Sequence, residues 1–274
     1  MKSLTATLLF LCLSASAILL HGQELFQCGS RSHALANTTT TLSDCWSAFE
    51  NQAGLAKLKQ PEAGCFFLNR FGINELATQA GVFVLPIQSS VFALSIAQFG
   101  KTPFKQENYG LSYARPISPK LNFGLRFHYS RVFFPEDNRY SGTIGIDIGV
   151  QATLTRHIIL GVHIHNPYSS SIHTLNEKIQ YPSQIKIGST FYLSEVFSLI
   201  TELENDFYKH SRLRSAFEYT IIEKFTVRAG ITGSPYQRSA GFGFQLKKLI
   251  IDLANSYHSD LGNTSSISFK YEIR

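Results

Sequence analysis

The sequence predicts an all-β protein, a transmembrane antiparallel β-barrel of about 14 strands with a short N-terminal plug (hatch) segment. Three observations predict it. From Phe66 to the C-terminus, apolar and polar residues alternate almost without a break, as a strand with different surroundings on its two faces requires. The alternating runs last about 9 to 13 residues, longer than the roughly 5 or 6 of globular strands and suited to a tilted bilayer crossing. Charged residues make up 16% of the chain and aromatics 13%, so fewer positions than usual face water.

Taken in order, residues 1–22 read as a signal peptide. Lys2 supplies the positive start, "LTATLLFLCL" the apolar core, and "SASA" or the later "HG" the small-residue cleavage region. The mature chain is expected to start near Ile18 or Gln23. A retained helical anchor is the alternative, although the apolar run from Leu4 to Leu20 is short for a span. Cys12 follows Leu11 rather than a small residue, which speaks against a lipoprotein site. Residues 23–62 do not alternate and form the hatch; residues 63–274 form the barrel. Cys28, Cys45 and Cys65 remain after cleavage, an odd count, so a disulfide framework does not hold this fold.

Within "LNFGLRFHYS", Leu121, Phe123, Leu125, Phe127 and Tyr129 share one face, while Asn122, Gly124, Arg126, His128 and Ser130 share the other. The runs at 144–154, 225–232 and 267–273 repeat the pattern. Strands are expected to begin near residues 65, 75, 89, 104, 120, 143, 157, 183, 197, 210, 224, 237, 249 and 265, an even set, as a closed antiparallel barrel needs. Connections from even to odd strands are mostly tight, whereas "PEDNRYSG" and "NPYSSSIHTLNEKIQYP" on the other side are long. That parity places both termini in the periplasm and the long loops outside. A secreted β-sandwich is the soluble alternative, but it would carry shorter strands and a more charged water-facing side.

The charges fall on the inward face: Arg126, Asp147, Lys186, Glu202, Glu204, Arg214, Glu218 and Arg228, with Asp206, Asp252, Lys270 and Glu272. Both signs are present, which favours neutralised cross-strand pairs over a single-sign selectivity field. Glycines 124, 145, 149, 161, 188, 230, 241 and 243 point inward or sit at tight places, leaving room for loosely packed side chains or for a plug. "SDCWSAFENQAGLA" offers Ser43 and Asp44 as cap residues, then Trp46, Phe49, Ala53 and Leu55 at spacings that fit a short helix and turn.

Chemistry is sparse. His163 and His165 lie two apart on one strand and share its inward face, but no Cys or carboxylate completes a ligand set by spacing, so no metal site is assigned. Glu202, Glu204 and Asp206 also share a face, and pairing with Arg214 and Arg228 on neighbouring strands is the reading preferred over cation binding. No nucleophile elbow, phosphate loop or dinucleotide fingerprint is present, so neither an enzyme nor a cofactor is expected. The formal charge of +6 comes from scattered Lys and Arg, without the block that nucleic-acid binding would require.

The run D-x-W-S-x-F-x-N-x-A-G-L-A, followed by strands that start "NRFGINELATQAG", resembles the FadL-type outer-membrane barrels, most closely the PorV/PorQ-like branch of Bacteroidetes-type bacteria. The likeness covers essentially the whole mature chain. It implies a fourteen-stranded barrel whose N-terminal segment folds inward, with an Asn-Pro-Ala turn that maps to Asn51, Gln52 and Ala53, followed by Gly54. Gln52 replaces the usual proline, and the chain ends "FKYEIR" rather than in an aromatic. The resemblance implies an outer-membrane protein of a Gram-negative bacterium, a hatch-plugged conduit for small hydrophobic solutes, with membrane lipid and those solutes as partners. A barrel this short carries little outer loop, which weakens any extension to long-chain fatty acids. The alternative is a non-transporting scaffold or shuttle barrel of a type IX secretion-like system.

Overall fold

A computed structural model describes residues 26–101, 104–135, 139–173, 178–206, 211–233 and 236–273. The expected signal peptide and its cleavage region lie outside the described residues. The barrel strands are β1 (Glu62–Arg70), β2 (Ala77–Ile87), β3 (Ser90–Lys101), β4 (Phe104–Ser118), β5 (Leu121–Phe134), β6 (Arg139–Thr155) and β7 (Ile158–His165). After a small hairpin of β8 (Ser171–His173) and β9 (Lys178–Gln180), the barrel continues through β10 (Gln184–Tyr192), β11 (Phe197–Asp206), β12 (Arg212–Ile222) and β13 (Phe225–Thr232). It ends with β14 (Gln237–Leu246), β15 (Leu249–His258) and β16 (Gly262–Glu272).

These fourteen strands form one closed ring in which β7 pairs with β10 and β1 pairs with β16, every pair antiparallel. Each observed start lies within four residues of its expected position. The first strand begins at Glu62, so the wall includes that residue as well as Ala63 and Gly64.

Closure satisfies the backbone of every strand without an edge, so the faces alone decide what surrounds the sheet. Ile144 is 66% exposed on β6 while Asp147 is fully buried, and the same division recurs on β5, β13 and β16. The outer face is a band of exposed Leu, Ile, Phe and Tyr; the inner face carries the charges. One sector of the inner face departs from that expectation. Phe66, Leu68, Val82, Val84, Val91, Ala93, Ala97 and Phe99, from β1, β2 and β3, point inward and are buried.

Residues 26–61 occupy the lumen. They hold a short helix α1 (Ser30–Ala34) and two 3-10 turns, Cys45–Ala48 and Gln52–Lys57. The short helix and turn expected within 43–56 are two 3-10 turns, because Asn51 is extended between them. Asp44, and not Ser43, caps the first turn: its carboxylate accepts from the Trp46 amide at 3.0 Å, and Ser47 reciprocates. The helix α1 had no signal in apolar spacing. All three described cysteines are free, Cys28 and Cys45 buried in the plug and Cys65 exposed on the outer wall.

Candidate functional site: the plugged lumen

The apolar sector of the wall receives the apolar side of the plug. Phe26, Cys28, Cys45, Trp46, Phe49 and Leu55 pack against the inward row of β1, β2 and β3 in one buried cluster. Gly29 fixes the approach. Its φ is +106°, and a Cβ there would sit 2.7 Å from Trp46 Cγ, so no larger residue fits.

The polar side of the plug meets the charged sector. Arg31 donates a bidentate pair to Glu218, at 2.9 and 2.8 Å, and a third bond to Asp44 at 3.1 Å. His33 sits between Ser266 and Ser256, its two nitrogens 2.7 and 2.9 Å from their hydroxyls. Glu202 Oε2 accepts from the Thr39 amide, the Thr40 amide and the Thr40 hydroxyl, at 2.8, 2.9 and 2.9 Å. Glu50 pairs with Lys186 at 3.1 Å and accepts from Thr39 Oγ1 at 3.0 Å. Burial raises the Glu50 carboxyl above its ordinary value with the Lys186 ammonium opposing, burial lowers the His33 imidazole to about 4, and burial pushes the Cys28 and Cys45 thiols well up.

The turn at Asn51 to Gly54 lies at the centre of this seat, and all four residues are buried. Asn51 Nδ2 faces the carbonyls of Thr40, Val150 and Val162 at 2.6, 3.1 and 3.3 Å, which ties the plug to itself, to β6 and to β7. Without proline, the turn is held by side chains: Asn51 Oδ1 accepts from the Ala53 amide at 3.2 Å, and Gln52 Nε2 donates to the Glu50 carbonyl. Gln151 on β6 adds two bonds to the Thr40 and Leu42 carbonyls, at 3.0 and 2.8 Å.

The inward glycines are the contact line. A Cβ at Gly149 would lie 2.1 Å from Asn51 Oδ1, at Gly161 2.2 Å from the Thr40 carbonyl, and at Gly188 2.1 Å from Thr40 Oγ1. Gly124, Gly230 and Gly241 meet Gln52, Leu35 and Ala34 in the same way, whereas Gly145 and Gly243 make room for wall side chains, His128 and the Arg228 and Asp252 pair. A small-residue wall thus lets a folded segment approach the barrel backbone directly.

The remaining lumen charges neutralise one another across strands. Arg214 pairs with Glu204 at 2.9 Å and with Glu202 at 4.0 Å. Arg228 turns the other way, to Glu218 at 2.5 Å and Asp252 at 2.7 Å, and is not a partner of Glu202, Glu204 or Asp206 as the spacing suggested. Arg126 lies 3.5 Å from Asp147 and over the Phe49 ring. At this level the structure supplies the carboxylate that linear spacing did not: Asp147, on the neighbouring strand, joins His165 and His128, while His163 stands outside the group.

Above the plug, the connection between β7 and β10 folds back over the lumen. Ile172 and Tyr181 are buried against Val132, Asn166 Nδ2 donates to the Tyr181 carbonyl at 3.1 Å, and the Ser130 hydroxyl donates to the Tyr181 phenol oxygen at 2.8 Å. The described residues of this loop, which was expected on the outer side of the membrane, form a partial roof. Cavities left inside, of about 20 Å³ beside Phe49 and His165 and about 140 Å³ beside Arg31 and Thr41, are small. A concavity of about 960 Å³ is on the outer wall, lined by Cys65, Gly81, Ile96, Tyr109, Tyr129 and Phe269. Gly64 also lines it, and a Cβ there would lie 3.0 Å from Trp46, so one backbone thickness separates this indentation from the plug.

No family model matches the chain, and no curated protein matches it. Solved structures do. The toluene transporter TbuX of Ralstonia pickettii is similar over 92% of this chain and 100% of its own, with 13% identity and a TM-score of 0.69. The toluene transporter TodX of Pseudomonas putida matches 90% of this chain and 98% of its own at 10% identity and TM-score 0.68. A Pseudomonas aeruginosa FadL homologue matches 91% and 99% at 14% identity and TM-score 0.64. The chain therefore has the fold of the FadL-type barrels.

The structure brings Asn51, Gln52, Ala53 and Gly54 against Gly124, Gly149 and Gln151, whereas Glu202 and Lys186 meet Thr39, Thr40 and Glu50, and Arg126 pairs with Asp147. Glu218 holds Arg31 and is itself paired with Arg228. Sequence reasoning missed Arg31, His33, Thr39, Thr40 and Glu50. The run "NTTTT" was the available signal, since hydroxyl-rich backbone without alternation suits a buried segment that must satisfy its own amides.

Proposed function

We propose that the chain is an outer-membrane barrel of a Gram-negative bacterium, a conduit for small hydrophobic solutes that residues 26–61 stop in the resting state. The observation that carries this reading is the seat itself. The plug is held by hydrogen bonds and ion pairs and by no disulfide, so it can leave without covalent change. The apolar outer band fits lipid, and the indentation behind Gly64 offers a sideways route from the plug to the bilayer. The plug joins β1 at the end that also carries the tight turns and the C-terminus, where the Ile273 amide donates to the Pro61 carbonyl at 2.7 Å. With that end in the periplasm, solute meets the roof first and the plug second. The test is uptake of a small apolar dye into proteoliposomes. The intact chain should take it up slowly, and removal of residues 26–57 should speed uptake several-fold.

A second reading, a scaffold or shuttle barrel of the PorV/PorQ type in a secretion system, is favoured by one observation. Among the described residues the plug and the paired wall charges occupy the lumen, and the cavity beside Phe49 and His165 is only about 20 Å³. Dye uptake unchanged by removal of the plug, with secretion proteins captured by cross-linking in the outer membrane, would support it instead.

A further inference from the structure

Asp147 is fully buried, and its two oxygens face different groups. Oδ1 lies 2.7 Å from His165 Nδ1 and 3.3 Å from His128 Nε2, and it accepts from the Asn166 amide at 3.3 Å; Oδ2 faces Arg126 Nη1 at 3.5 Å. The donor atoms of His128, Asp147 and His165 all fall within 4.8 Å of one another, on three adjacent strands, β5, β6 and β7. We propose that these three side chains bind one divalent cation of the zinc class.

Two imidazoles and one carboxylate are the donor set that borderline cations take, and that hard cations such as magnesium do not. Ligands about 2.0 Å from a tetrahedral zinc stand roughly 3.3 Å apart, so the His165 contact must open by about half an ångström while the His128 contact already fits. The two rings are stacked, with centroids 5.2 Å apart and planes 10° from parallel, and therefore reach Asp147 side by side. Arg126 holds the other oxygen, which leaves Oδ1 as a single monodentate ligand.

A second observation is independent of these distances. His165 Nε2 is buried and has no hydrogen-bond partner among the described residues, and His165 lines the cavity of about 20 Å³ with His163, Tyr181, Gln184 and Lys186. That space admits one water. A histidine that binds metal through Nδ1 needs its Nε2 proton to be accepted by an outer group, and a water there would accept it. His128 needs the same at Nδ1, where the Asn108 amide lies 3.4 Å away with its nitrogen toward the ring. Binding therefore moves the His128 proton to Nδ1 and turns that amide over, which costs the bond that the Asn108 oxygen accepts from Arg126 and the one its nitrogen donates to Ser130. The nearby Arg126 charge and this rearrangement weaken binding.

The experiment is equilibrium dialysis of the detergent-purified, untagged chain against zinc, with bound metal measured by mass spectrometry. Wild type should hold about one zinc per chain at tens of micromolar free metal. Asp147→Asn and His165→Gln should weaken binding beyond the roughly 10–100-fold that an outer-shell change costs, while His163→Gln stays within that range. Folding of each variant is checked by its heat-dependent shift on gel electrophoresis; if Asp147→Asn does not fold, His128→Gln replaces it. Wild-type binding no greater than that of His165→Gln overturns the proposal, because exposed His157 and half-buried His258 would then account for it. Loss in His163→Gln equal to that in His165→Gln also overturns it, by assigning the metal to the pair on β7 alone.

Discussion

Replacing Gly149 with alanine should unseat the plug while leaving the barrel closed. The added Cβ would lie 2.1 Å from Asn51 Oδ1 and 3.2 Å from the Ala53 amide nitrogen, so the turn must retreat by more than about 1 Å. Retreat breaks the Asn51 bonds to Val150 and Val162, each worth about 1 kcal/mol net, and adds about 1–3 kcal/mol of overpacking. The sum, about 3–5 kcal/mol, lowers the ratio of seated to released plug by roughly 100- to 1,000-fold or more, at 1.4 kcal/mol per decade. Cys28 and Cys45 report the release: both are fully buried, and burial holds their thiols protonated and unreactive. Maleimide labelling in a Cys65→Ala background, followed by intact mass, gives the rate. Gly81→Ala is the control, since its Cβ would face outward and meet Ile96 at an ordinary 3.5 Å. The reasoning is refuted if Gly149→Ala labels within twofold of its parent, or if Gly81→Ala accelerates labelling equally.

Other consequences follow from the same contacts. Lys186→Met strands the buried Glu50 carboxylate, at a cost of about 3–5 kcal/mol, and the double variant with Glu50→Gln should recover part of the loss; thiol labelling measures both. The His33 imidazole has its value lowered from 6.5 to about 4, so the seated plug binds fewer protons than the released one between those values. Seating is thus at full strength above about pH 6.5, weakens as pH falls, and has lost at most about 3 kcal/mol below about pH 4. Emission from Trp46, the single tryptophan, should shift to the red across that window, and the His33→Gln variant should flatten the shift. Thr40→Val removes the side-chain bond to Glu202 and should raise labelling about tenfold or less, because both backbone amides still reach the carboxylate.

The barrel was legible because a strand that separates lipid from a polar lumen writes its period into every second residue. Ile144 and Asp147, or Leu125 and Arg126, disclose their faces without any knowledge of their partners. The plug was legible only in outline. Its residues are buried on all sides, so no period survives; the cap at Asp44 and the hydroxyl-rich run at 37–41 were its local signals, and the Asn51 turn came from the family resemblance. Cross-strand neighbours were harder still. His165 and Asp147 lie eighteen positions apart and become adjacent only through the register of β6 on β7, as Arg228 reaches Asp252 only through β14. The glycines left room at the wall for loosely packed side chains or a plug, and the Thr40 contacts at Gly161 and Gly188 show which fills it.

The central claim, that residues 26–61 stop a lumen otherwise able to conduct, is tested most directly by planar-bilayer conductance. Purified intact chain and a variant lacking residues 26–57 are compared under the same voltage and salt. The account predicts a silent intact barrel and discrete channels from the variant. Silence from a correctly folded variant would contradict it, and would mean that the wall side chains and the roof at Tyr181 close the lumen without the plug.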